Sequence, residues 1–230
     1  MKPLLWVKRL LLGGIALLLL YQCWLFGWIL WWNWANPDVT RFMSIRLEEL
    51  RRQQPEARLR KQWVPYDRMS VHLKRAIVAA EDARFVDHEG FDWDGIQQAI
   101  EKNQKKGRIV AGGSTISQQL AKNLFLTPAR TPWRKAEEAV ITLMLEAVWS
   151  KERILEVYLN VIEWGNGVFG AEAAARHYYG VTAAQLSREQ AARLAGMVPS
   201  PRFYDRNRNA PGLARKTAII LSRMPSADLP

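Results

Sequence analysis

A single cysteine, Cys23, among 230 residues excludes an intramolecular disulfide, so stability has to come from a packed core. Histidine is nearly as scarce. His72, His88 and His177 are scattered, with no cysteine and no His-x-x-x-His partner, which argues against a structural zinc site. No period of about 20 to 50 residues recurs, which excludes repeat architectures, and no sustained apolar-polar alternation appears, which argues against a β-rich domain. The length and the 49% hydrophobic content suit one domain of ordinary size plus a short appendage, without room for a second catalytic module.

Acidic residues are also missing from the first 37 positions; the first is Asp38. Within that stretch Leu10 to Trp32 is 23 residues without a charge. At about 1.5 Å per residue such a helix crosses a hydrocarbon core of about 30 Å. Lys2, Lys8 and Arg9 precede it, so the positive-inside bias keeps the N-terminus cytoplasmic and places the rest of the chain outside. Trp24, Trp28, Trp31, Trp32 and Trp34 crowd the distal end, where indole rings favour the headgroup boundary. The competing reading is a cleaved signal peptide. The run is longer than a usual signal core and Leu30 to Ala35 lacks paired small residues, which favours a retained anchor. We therefore expect an anchor over residues 1–35 and an extracytoplasmic domain over 36–230.

The whole chain carries 33 basic and 22 acidic side chains, for a net charge of +11 and a pI near 10.0. Without the three N-terminal cations the outer part still holds +8. A polyanionic partner follows, whether nucleic acid, an anionic membrane surface or a phosphorylated substrate, and the anchor favours the last two.

Past the anchor, residues 36 to 65 are mixed and suggest a stalk or domain edge with a short helix around Arg46 to Arg52. Ser70 can cap a helix that ends near Glu81 or Asp82, and Asp94 to Asn103 reads as another. Gln104 to Arg108 lacks an apolar face and is expected as a loop. Ser114 is placed to cap a helix through Leu124; Trp133 to Trp149 is strongly apolar and central; Lys151 to Asn160 is short. Gly165-Asn166-Gly167 reads as a turn, Val168 to Tyr179 as an alanine-rich helix stopped by Gly180, and helices follow over Ser187 to Val198 and Leu213 to Ser222. The fold class is mainly α.

Two polar blocks carry chemistry. The first, Glu81 to Gly90, begins where the apolar run Ala76 to Ala80 ends. A carboxylate at a helix C-terminus meets partial negative charge and desolvation, both of which make it a stronger base. Alternatively Glu81 and Asp82 form a solvated helix end. In the second block Ser114, Gln118 and Lys122 stand four apart, on one helical face, behind Gly112 and Gly113, which permit close anion approach. Lys122 suits phosphate oxygens and Gln118 a sugar or acyl group; an ordinary capped amphipathic helix fits the same residues. Arg134 and Glu138 are also four apart, either a plain ion pair or a substrate contact, with Arg130 close by.

Together these blocks resemble glycosyltransferase family 51, the peptidoglycan glycosyltransferases. Glu81 to Gly90 resembles the family's Glu-Asp-x-x-Phe-x-x-His-x-Gly, and Gly112 to Asn123 its Gly-Gly-Ser-Thr-Ile-Thr-Gln-Gln with the downstream Lys-Asn. Arg134 to Glu138 resembles Arg-Lys-x-x-Glu, and Ser150 to Asn160 resembles Ser-Lys-x-x-Ile-Leu-Glu-x-Tyr-Leu-Asn. The similarity continues through Gly165 to Tyr179 and Ala191 to Pro201. Ser117 departs from the usual threonine but keeps the hydroxyl, and Val86 stands where an aromatic is common.

The resemblance implies a lysozyme-like helical glycosyltransferase domain behind one N-terminal transmembrane helix, at the outer (periplasmic) face of the cytoplasmic (inner) membrane. It would polymerise lipid II by inverting transfer to the GlcNAc 4-hydroxyl and release undecaprenyl pyrophosphate. With nothing after Pro230, the chain resembles members that lack a transpeptidase domain. The implied catalytic residues are Glu81, as base, and Glu138. Ser114, Gln118, Lys122, Asn123, Arg130 and Arg134 are the implied substrate-binding residues, with a divalent cation, Mg²⁺ or Mn²⁺, conceivable at the pyrophosphate. Implied partners are lipid II, the lipid-linked glycan strand, the membrane, and proteins of wall synthesis or division, with no nucleic acid. The run Phe91 to Ile109 is expected to dip toward the bilayer. Two other readings stay open: a lysozyme-like lytic enzyme that cleaves glycan, and a non-catalytic scaffold for wall assembly.

Overall fold

The computed structural model describes residues 2–108 and 112–230. The chain divides into two compact units between Asn36 and Pro37. The first is α1 (Lys2–Trp32), in which Trp6–Trp32 is apolar and long enough to cross a membrane. Along it Trp24, Trp28 and Trp32 recur every four residues and their rings meet in sequence, with centroids 6.5 and 5.2 Å apart. The fourfold spacing puts successive indoles on one helical face.

The second unit runs through α2 (Arg41–Gln53), the short strand β1 (Arg60–Lys61), α3 (Val71–Glu81), α4 (Trp93–Lys106), α5 (Ile116–Phe125), α6 (Pro132–Val148) and α7 (Lys151–Val161). A hairpin of β2 (Glu163–Gly165) and β3 (Val168–Phe169) follows, then α8 (Ala171–Tyr179), α9 (Arg188–Met197), α10 (Pro201–Arg206) and α11 (Pro211–Arg223). The sheet order is β1-β3-β2, with β1 parallel and β2 antiparallel to β3. The architecture is thus mainly helical, in keeping with a lysozyme-like domain.

Helix starts follow capping chemistry. Thr40, Ser70, Asp92, Thr115, Thr131, Ser150 and Ser187 each accept a backbone N–H from the first turn of the helix they precede. Each such bond is worth about 1 kcal/mol. The core centres on α7, whose Ile154, Leu155, Val157, Tyr158, Leu159 and Val161 are all shut off from solvent. Helix α5 packs on α6 and α7, while α3 packs on α9 and α11. In α8 the run of alanines lets neighbours approach closely, and Ala171, Ala174 and Ala175 are fully buried.

Four expectations change. Residues 104–106 continue α4 rather than forming a loop: α4 buries only Ala99, so it needs no apolar face there. Lysines in its last turn suit the helix C-terminus, and Gly107 closes it at φ +60°. Helix α5 is capped by Thr115, one residue beyond Ser114. The alanine-rich helix starts at Ala171 because Val168 and Phe169 pair as β3. Helix α2 is no stalk: it packs on α5 and buries Met43. As for the expected bilayer-facing run, Phe91 stacks on Trp93 at 5.5 Å, Trp93 and Ile100 are exposed, and Ile109 lies outside the described residues.

Gly90 shows how tightly the first polar block is held. Its φ is +87°, its carbonyl accepts the Thr115 hydroxyl at 2.7 Å, and an added Cβ would stand 2.7 Å from Thr142 Cγ2. Both the backbone region and the contact oppose any side chain. Gly90→Ala is expected to destabilise the fold by roughly 2 kcal/mol or more. A drop in melting temperature of several degrees in detergent checks this; an unchanged melting point contradicts it.

Candidate active site

The two polar blocks meet through one carboxylate. Asp82, at the end of α3, is buried; its Oδ2 accepts the Ile116 N–H at 3.0 Å and its Oδ1 lies 3.0 Å from His88 Nε2. That seats the start of α5 on the end of α3. His88 in turn accepts, at its carbonyl, a hydrogen bond of 2.5 Å from Lys151 Nζ, which also pairs with Glu146 at 2.8 Å and lies 4.8 Å above the Phe85 ring. The Ser117 hydroxyl donates to the same Glu146 carboxylate. Asp82, Phe85 and His88 are therefore framework, and Phe85 lies in the core instead of walling the site.

With α5 so placed, Glu81 Oε2 accepts 2.8 Å from Gln119 Nε2, and Gln119 Oε1 accepts 3.0 Å from the Tyr158 hydroxyl. Glu81 is partly buried. Burial raises its pKa above the ordinary carboxyl value; the Gln119 hydrogen bond and the charges of Lys216 and Lys122 oppose the rise, and Asp82 adds to it. A carboxylate held this way is a stronger base than a free one.

Gln119 also lines a cleft of about 910 Å³ together with Lys122, Asn123, Arg130 and Arg134. Lys122 has its pKa lowered, first by burial, against the pull of Glu138 and with repulsion from Arg134 and Lys135. An arriving anion would relieve that repulsion. The Arg134 guanidinium is held in place: Nη1 donates to Glu138 at 2.5 Å, while its buried Nε lacks a hydrogen-bond partner among the described residues. An unsatisfied, buried guanidinium N–H on a cleft wall favours an acceptor-rich ligand such as phosphate.

The expected site residues thus separate. Lys122, Asn123, Arg130 and Arg134 come together on this end of the cleft, while Glu81 stands behind the lining and is joined to it through the Gln119 hydrogen bond and the charge of Lys122. Gln118 does not: it is buried and its side chain accepts the Thr115 N–H in a capping box. Ser114 precedes the helix and accepts from Lys135 at 3.4 Å. Glu138 is buried behind the cleft, with its oxygens taken by Arg134 and Lys135, so it positions cations instead of facing the cavity. Gln119 was not singled out from the sequence; with Thr115 as the cap, Gln118 is taken up in the capping box, and Gln119, Lys122 and Asn123 are the α5 residues on the cleft. Arg46, Glu163, Arg202 and Arg206, from distant parts of the chain, line the far end.

A divalent cation finds little of its own here. Among the described residues no group of three His, Cys, Asp or Glu could hold one. The carboxylates nearest the cationic wall, Glu81 and Glu138, are already engaged.

Residues 47–225 match the family model described as transglycosylase. A protein of Dechloromonas aromatica, called a biosynthetic peptidoglycan transglycosylase, is 75% identical over 98% of this chain and 97% of its own length. Proteins with the same description from Nitrosospira multiformis and Chromobacterium violaceum are 65% and 63% identical, over 98% and 96% of this chain and 98% and 97% of their own lengths.

Because the Gln119 hydrogen bond holds the Glu81 pKa down, Gln119→Leu should raise it further. Carbon-13 NMR of the labelled Glu81 carboxyl should show a titration midpoint above that of the parent. An unchanged or lower midpoint would contradict the assignment of this bond.

Proposed function

The chain belongs to the transglycosylase family, and from that premise we propose that it is a peptidoglycan glycosyltransferase that joins lipid II units into glycan strands. The observation that carries the mechanism is the junction of a desolvated Glu81 with a cleft wall bearing Lys122, Arg130 and Arg134. Lipid II is a disaccharide of N-acetylated amino sugars on undecaprenyl pyrophosphate, so it needs a base at one end of the reaction and cations at the other.

Glu81 takes the proton of the acceptor GlcNAc 4-hydroxyl as that oxygen attacks C1 of the donor. The new C1–O4 bond forms on the face opposite the departing pyrophosphate, so the anomeric configuration inverts. The C1–O bond to pyrophosphate breaks with its electron pair on the leaving oxygen. Lys122, Arg130 and Arg134 face that developing charge, where fixed cations in a partly dry cleft are most effective. Asn123 contributes a polar group on the same wall, and Glu138 acts through Arg134 and Lys135 as a positioning residue. Ser114 and Gln118 serve the scaffold of α5 in this reading. A divalent cation, where present, would draw its oxygen ligands mainly from the substrate phosphates, and no step requires it.

The domain limits at residues 35 and 36, the inner-membrane location and the periplasmic placement of the catalytic unit belong to the same proposal. The apolar helix and the cations Lys2, Lys8 and Arg9 before it support them. Membrane-bound partners in wall synthesis or division would meet the enzyme on that side.

Two measurements test the reading. Labelled lipid II supplied to the full chain in micelles should give polymer, and Glu81→Gln should lower the rate by about 100-fold or more, the range expected for loss of a general base. Cleavage of finished glycan without consumption of lipid II would instead favour a lytic enzyme, and undiminished polymerisation by Glu81→Gln would remove the base assignment. For parent enzyme, kcat/KM should fall as pH drops through a value above the ordinary carboxyl range, since the raised pKa protonates the base early. An acid limb at or below an unperturbed carboxyl pKa contradicts this.

A further inference from the structure

At the far end of the cleft, Glu163 of β2 presents a different chemistry. Its side chain is 5% exposed; Oε2 accepts from Arg46 Nε at 3.2 Å, and Oε1 is buried without a hydrogen-bond partner among the described residues. A lone carboxylate oxygen closed to bulk water is costly unless a donor reaches it. Beside it lies an alcove of about 60 Å³ that shares Arg46, Gln53, Glu163, Asn166 and Arg202 with the cleft.

The charges of this alcove balance. Arg46 and Arg202 both contact Glu49, at 2.6 and 3.4 Å, and Arg46 also holds Glu163, so two cations face two carboxylates. The opposite end of the cleft, by contrast, sets four cations, Lys122, Arg130, Arg134 and Lys135, against two carboxylates, Glu81 and Glu138. An ionised ligand group suits that end and gains nothing at the alcove. A neutral group that offers one N–H or O–H to Glu163 fits better. Gln53 and Asn166 add amide donors for a carbonyl oxygen, and Leu50 adds an apolar side chain.

We propose that this alcove recognises the acetamido group of one amino sugar of the substrate, with the amide N–H donated to Glu163 Oε1, the carbonyl facing Gln53 or Asn166, and the methyl against Leu50. The inference rests on the glycosyltransferase reading above and makes Glu163 a specificity residue of that reaction. Glutamine cannot replace it: one of its two faces is a donor, which must oppose either Arg46 or the incoming N–H.

The test uses the full chain in micelles with labelled lipid II and two analogues, each carrying a hydroxyl in place of the acetamido group on one of the two sugars. Glu163→Gln should raise KM for natural lipid II about tenfold or more, a loss typical of a hydrogen bond to a charged group, with kcat much less affected. On the analogue that lacks the recognised acetamido group the parent should show the same loss and Glu163→Gln no further one, which also identifies the sugar. Leu50→Phe, which fills the alcove without touching an ion pair, should reproduce the effect if Glu163→Gln folds poorly by its melting temperature. An unchanged KM in both variants, or a Glu163→Gln penalty that persists on both analogues, overturns the proposal. Failure of the parent to polymerise lipid II would instead defeat the reading on which it rests.

Discussion

The site depends on Asp82. Its two oxygens tie the first N–H of α5 to His88 and so fix how the end of α3 meets the start of α5. A buried carboxylate with both oxygens engaged is a stiff joint, since loss of either partner leaves charge without compensation. Everything the reaction uses is measured from that joint. Glu81 precedes it by one residue, Gln119 follows it by one helical turn, and the Tyr158 hydroxyl meets Gln119 from α7. The second tier, Lys151 with Glu146, Ser117 and the His88 carbonyl, braces the same joint against α6 and α7.

Much of this was legible in the sequence because it is local. The Ser70 cap, the short helix after Ser150 and the turn at Gly165 to Gly167 are set by residues within a few positions of one another, and the structure has them where the pattern puts them. What was not legible is longer-ranged or depends on one residue of phase. Ser114 and Thr115 are both competent caps, and with Thr115 chosen Gln118 is spent on the capping box while Gln119 reaches Glu81. The neighbour that decides it is Gly90, whose carbonyl takes the Thr115 hydroxyl from across the fold. The length of α4 was misjudged for another reason: an exposed helix can be extended by propensity and a C-terminal glycine without any apolar stripe. Glu163 and Arg46 are 117 positions apart, so no spacing rule could join them.

The cleft therefore has two ends with opposite electrostatic designs. Around α5 and α6 cations outnumber carboxylates, and burial disfavours the charged forms of both Lys122 and Glu81. Around α2, β2 and α10 charges cancel and burial raises the Glu163 carboxyl pKa against Arg46 and Arg202. One end suits a pyrophosphate and the other a neutral saccharide. A lipid-linked sugar carries both, and one cleft is lined by both sets of residues.

The packing of α3 against α9 and α11 has a consequence for how the protein comes to exist. The helix that carries Glu81 ends at residue 81, yet its cover begins at residue 188. Until that cover arrives, α3, whose Leu73, Ala76 and Ile77 end up fully buried, lacks the helices it packs against. Contacts so distant along the chain close slowly, because the intervening loop must be ordered before they repay it. The domain thus has to finish folding after its C-terminal helices emerge, and until then the half-made chain carries the apolar face of α3 without that cover.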